Sequence, residues 1–155
     1  MRVNKERVLS NPYSIEQGLG AVRLLSKHPS GKLPGHNNGN FIMALDSLPI
    51  VRILLASETT PADVREELKR HDLAKLRKKG AILLGKSLIR AAKKGGGGYP
   101  HEVDSLSHLL HSQHLTLKDL GSTPGKWRAI REKRIRKYNA PGRFQPFMRG
   151  RGRIR

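Results

Sequence analysis

Residues 126–155 hold twelve Lys and Arg against a single Glu, a net +11 out of the +19 carried by all 155 residues. A segment charged this densely buries too little apolar surface to offset its ordering entropy, so residues 122–155 are predicted to be disordered alone and ordered only against a partner. Self-repulsion of this size calls for a polyanion. Lys and Arg that neutralise phosphates release condensed counterions, which makes RNA or DNA the first expectation. An anionic membrane surface would call for an amphipathic helix with Trp, Phe and Leu opposite its cations. One Trp and three Phe supply no such helix. No apolar run approaches the roughly 20 residues of a membrane span, so no membrane partner is expected.

The tail also has a chemical pattern. Trp127, Tyr138, Phe144 and Phe147 are interleaved with Lys126, Arg128, Arg131, Lys133, Arg134, Arg136, Lys137 and Arg143, and Arg149, Arg151, Arg153 and Arg155 come after them. Arg offers forked donors to phosphate and a plane for stacking, and aromatic rings stack on unpaired bases. Gly and Pro between them let the backbone track an irregular surface. All of these residues are candidate RNA contacts, as are Lys75, Arg77, Lys78, Lys79, Lys86, Arg90, Lys93 and Lys94 upstream.

Upstream of the tail, residues 1–121 read as a small, mainly α body of four to five short helices. Ser14 and Gln17 have capping-box spacing ahead of Leu19, Val22, Leu24 and Leu25, predicting a helix over 15–27. Pro, Gly and Asn over 28–40 predict a loop. The apolar run from Phe41 to Ala56 fits helix or strand, with Asp46 and Ser47 before Pro49 a plausible helix start in its middle. Thr60, Pro61 and Asp63 open a charged helix expected to stop at Gly80. Ala81–Lys94 reads as a further helix, cut off by a glycine linker at 95–98. Beyond it, Val103–His111 suggests a short helix, and Thr116 with Asp119 a capped turn ending at Gly121. Lys126–Tyr138 has helical propensity alone to support it, and the prolines and glycines from Pro141 onward break any regular structure in the last fifteen residues.

Catalytic patterns are weak. Gly80, Gly85, Lys86 and Ser87 have the spacing of a phosphate-binding loop, which needs a preceding buried strand. Here Lys75–Lys79 precede it, and Ala81–Leu84 suit the buried face of a helix better. His101, His108, His111 and His114 are close in sequence, but there is no Cys, and a polar helix surface is the simpler reading. Glu66, Glu67 and Asp72 lie among cations, as solvated helix charges do. No cofactor, metal, small-molecule substrate or enzymatic activity is therefore expected.

Arg136, Tyr138, Ala140, Gly142, Arg143, Pro146, Phe147 and Met148 resemble, in order and spacing, the tip of the basic hairpin in the tunnel-lining large-subunit ribosomal protein family, number twenty-two in bacteria. Val103–Leu106 and Lys78–Ala92 are also similar to segments of that family. Residues 1–60 do not match it, and Arg149–Arg155 stand where the family has a strand. The resemblance implies an alternative α+β domain on ribosomal RNA with an extension reaching into the particle. The expectation is thus a structural RNA-binding component of a ribonucleoprotein particle, with rRNA and neighbouring ribosomal proteins as partners. The alternative is a viral or phage nucleic-acid-binding regulatory or packaging protein. The compartment stays open between mitochondrion and cytoplasm: Arg2, Lys5, Arg7, Arg23 and Lys27 resemble a transit peptide, but the same stretch reads as an ordinary capped helix.

Overall fold

The structure, a computed structural model, describes residues 4–27 and 38–140. It is mainly α, with no strand among the described residues, so the helical expectation holds and the α+β alternative does not. The chain divides into two compact units, Met1–Leu84 and Gly85–Arg155.

In the first unit, α1 (Lys5–Ser10), α2 (Ser14–Lys27), α3 (Asn38–Asp46), α4 (Leu48–Ala56) and α5 (Ala62–Lys69) precede the start of α6 (Leu73–Lys94). The middle of the bundle is α2, which packs on α3, α4 and α5. It does so closely because Gly18 carries no side chain: a Cβ there would lie 2.9 Å from Leu54 Cδ1. Val22, Leu25, Phe41, Leu45, Val51, Leu54 and Leu68 form the core, each contributing roughly 1.5–3 kcal/mol by burial. Two buried hydroxyls tie the turns down, Ser14 Oγ donating to the Val8 carbonyl (2.6 Å) and Thr60 Oγ1 to the Leu54 carbonyl (2.7 Å). Ser14 is therefore a buried staple within α2, and the expected capping box is not formed. Because α2 supplies Val22 and Leu25, residues 14–27 belong to the folded unit.

Several boundaries differ from expectation. Asn38–Asn40, expected to lie in a loop, are the first residues of α3; the rest of that loop, 28–37, lies outside the described residues. The 41–55 run is helical and breaks at Ser47, with Pro49 in the first turn of α4. Asn38–Ala56 is apolar enough to cross a membrane by length and composition, with a mean hydropathy of 1.5. It folds as two nine-residue helices, each about 14 Å long against a hydrocarbon core of about 30 Å.

The charged helix does not run to Gly80. It ends at Lys69, and α6 starts afresh at Leu73, where Asp72 Oδ1 accepts from the Lys75 amide (3.2 Å). Gly80 sits inside α6 because a Cβ there would lie 2.7 Å from Leu25 Cδ2. Close approach to α2 thus outweighs the roughly 1 kcal/mol helix penalty of glycine.

The second unit begins within α6 and continues through α7 (His101–Ser112), a 3-10 turn at Lys118–Leu120 and α8 (Pro124–Asn139). Gly85 faces Leu120, whose two methyls would lie 2.7 Å from a Cβ on that glycine. The turn is closed by a reciprocal pair: the Thr116 amide donates to Asp119 Oδ2 (2.8 Å) and the Asp119 amide to Thr116 Oγ1 (3.3 Å). Gly121 ends it at φ +72°. Thr123 caps α8 by accepting from the Lys126 amide (3.1 Å), with Pro124 at the first helical position.

Candidate nucleic-acid interface

The cations singled out by sequence fall on two helices. In the first unit, Lys75, Arg77 and Lys78 of α6 are exposed and Lys79 is half-buried. In the second unit, Lys86, Lys93 and Lys94 on the rest of α6 are exposed and Arg90 is half-buried. On α8, Lys126, Arg128, Arg131, Lys133 and Arg136 are exposed, and they make no ion pair among the described residues. Charge surrounds most of this helix; Trp127 and Arg134 are its buried residues, and Ile130, Ile135, Lys137 and Tyr138 are half-buried. Arg143, Phe144, Phe147, Arg149, Arg151, Arg153 and Arg155 lie outside the described residues.

Two candidates are corrected. Trp127 is 9% exposed and Arg134 4% exposed, so neither presents a surface for stacking or for phosphate. The Arg134 Nε donates to Glu102 Oε1 at 2.5 Å, and its Nη2 donates to the carbonyls of Gly98 (2.8 Å) and Tyr99 (3.3 Å). Its Nη1 is buried without a partner among the described residues. A guanidinium this buried is tolerable because Glu102, itself only 15% exposed, neutralises it.

Residues 95–98 are accordingly no free linker. Gly95 adopts φ +48°, and a Cβ there would meet Arg134 Cδ at 3.0 Å and the Ala92 carbonyl at 3.3 Å. Its carbonyl accepts from Lys137 Nζ (2.9 Å). Gly95 lets the backbone close on Arg134, the Gly95 and Gly98 carbonyls hold two cations of α8, and α8 is anchored to its unit instead of standing free as part of a disordered tail.

This arrangement brings Lys93 of α6 beside Lys133, Arg134 and Lys137 of α8, around a cleft of about 250 Å³ that Ala92, Gly95 and Ile130 complete. At one side of the same loop is Tyr99, which sequence reasoning did not select. Its ring and that of Tyr138 meet nearly perpendicular (5.6 Å, 84°), and it tilts against His101 (4.7 Å, 59°). The Tyr99 hydroxyl donates to Asp104 Oδ2 (2.7 Å), and this hydrogen bond, with the carboxylate charge behind it, holds the phenol above its ordinary pKa. The available signal was an aromatic residue directly after the glycine run.

Residues 80–87 are helical throughout, and both glycines of the GxxxxGKS spacing face leucines, so the strand–loop–helix geometry of a phosphate loop is absent there. No three His, Asp or Glu side chains converge among the described residues. Arg136 and Tyr138, which the ribosomal resemblance places near a hairpin tip, lie in the last turns of α8.

Compared with known proteins, the chain matches no family model, no curated sequence and no solved structure.

Proposed function

We propose that the protein is a structural RNA-binding component of a ribonucleoprotein particle, most consistent with a ribosomal protein that grips rRNA through α6, α8 and the basic residues beyond α8. The observation that carries this reading is α8: a helix held to its unit by Trp127 and Arg134, with Lys126, Arg128, Arg131, Lys133 and Arg136 left outward and without an acid partner among the described residues. Surface cations of an ordinary soluble helix are commonly offset by acids three or four positions away; α8 has Glu132 as its one acid. A helix that costs stability through its own repulsion is reconciled by a polyanion that neutralises it. The role would be charge neutralisation and shape recognition of folded RNA, with no chemical step.

Sedimentation of the native-level protein in a cell lysate, at moderate and high salt and with or without ribonuclease, tests this. Co-migration with a ribosomal subunit that resists high salt and is abolished by ribonuclease supports an integral component. Migration at the top of the gradient under every condition contradicts it.

A further inference from the structure

The cleft and the ring beside it are two ends of one loop. Arg134 runs along that loop from Gly95, where its Cδ packs, to Tyr99, whose carbonyl it bonds. Lys93, Lys133 and Lys137 stand around the cleft at the Gly95 end. At the other end Tyr99 keeps 48% of its surface open while Asp104, Tyr138 and His101 hold the ring in place. A fixed, half-open aromatic next to a lysine-lined cleft matches the two parts of an unpaired nucleotide, whose base needs a stacking surface and whose phosphate needs cations.

We propose that the junction of the Gly95–Tyr99 loop with α8 seats one unpaired nucleotide of a nucleic-acid strand, its base on Tyr99 and its phosphate among Lys93, Lys133 and Lys137. The proposal rests on the RNA-binding reading and narrows it: contacts on exposed helical cations serve duplex and single strand alike, whereas this site takes only a base that is out of its stack. Arg134 acts as a positioning residue, since Glu102 and the two carbonyls occupy its Nε and Nη2. The acids here also set polarity. Glu102 is neutralised by Arg134, and Asp104 holds the Tyr99 hydroxyl, so the phosphate belongs at the lysine end.

The test uses the full chain and two labelled probes, a short single-stranded oligouridylate and an RNA duplex of equal length, read by fluorescence anisotropy at fixed salt. Tyr99→Ala is expected to weaken single-strand binding roughly five- to hundredfold, the loss of one stacked base, and to leave duplex binding within about twofold. Tyr99→Leu, which keeps apolar bulk without a ring, should lose as much as Tyr99→Ala, whereas Tyr99→Phe should bind as the parent does. Lys93→Gln with Lys133→Gln should flatten the single-strand salt slope by up to about 0.7, the share of the one phosphate seated there. Uridine monophosphate should compete only at far higher concentration than the strand. Single-strand affinity unchanged in both Tyr99→Ala and Tyr99→Leu overturns the site while the RNA-binding reading stands, as does an equal loss on both probes. Failure of the parent to bind either probe removes the RNA-binding reading itself.

Discussion

Arg134→Ala should be the most destabilising single change among the cations of α8. The substitution removes one ion pair and two hydrogen bonds to main-chain carbonyls, and it leaves Glu102 charged at 15% exposure. Breaking a buried pair by deleting one partner costs about 3–5 kcal/mol. At roughly 0.05–0.15 kcal/mol per residue, a unit of this size holds only about 4–11 kcal/mol in total. The variant should therefore lose a large share of its stability. Trp127 is the only tryptophan and lies buried on α8 in the same unit, so urea unfolding monitored by its fluorescence reads the right part of the molecule. Arg131→Ala is the control: one turn away on the same helix, exposed and without an ion pair among the described residues, it should stay within about 0.5 kcal/mol of the parent. Replacing both members, Arg134→Met with Glu102→Leu, should recover part of the loss because no charge is then stranded. Coincident midpoints for Arg134→Ala and Arg131→Ala would refute the assignment of Arg134 as a structural anchor.

Gly20 in α2 has open space where a Cβ would go, so Gly20→Ala should raise stability by roughly 0.5–1 kcal/mol. Gly80→Ala meets Leu25 at 2.7 Å, and an overpacking cost of about 1–3 kcal/mol should cancel or reverse the same gain; thermal melts of the pair read the difference. In the first unit, Arg23 donates to both oxygens of Glu67 (2.7 and 2.8 Å), and this hydrogen bonding holds the Glu67 carboxyl below its ordinary 4.5. A carboxylate depressed in the folded state contributes above its unfolded-state pKa and loses that contribution as pH falls through the folded-state value. The stability gap between the parent and Glu67→Gln should accordingly be present at neutral pH and close in acid; a gap that is constant with pH contradicts the pairing.

Local signals were legible where the chain's own chemistry decides the outcome. The break at Ser47 and Pro49, the stop after Lys94, the Thr116–Asp119 pair and the end at Gly121 all depend on neighbours a few residues apart. The features hidden from sequence are those set by distant partners. Gly80 reads as a stop until Leu25 is placed against it, and Arg134 reads as one more surface cation until Glu102, thirty-two positions upstream, is brought to it. Ser14 has the spacing of a cap, yet its hydroxyl goes to the Val8 carbonyl of α1, a helix that the sequence reading did not anticipate. The spacing of Trp127, Ile130, Arg134 and Tyr138 does mark one helical face, and could have separated the inward residues of α8 from its outward cations. Tyr99 was passed over because the glycines beside it suggested a linker, whereas their carbonyls are occupied by α8.

The most direct test of the central claim is the salt dependence of RNA affinity, measured for the parent and for a variant with Lys126, Arg128, Arg131, Lys133 and Arg136 changed to Gln. Each phosphate contact on a single strand contributes about −0.7 to the slope of log K against log salt. If the outward cations of α8 grip RNA, the parent slope is steep and the five substitutions flatten it by up to about 3.5, with unfolding by Trp127 fluorescence unchanged or improved. A parent slope near zero, or one that the five substitutions leave untouched, would contradict the account.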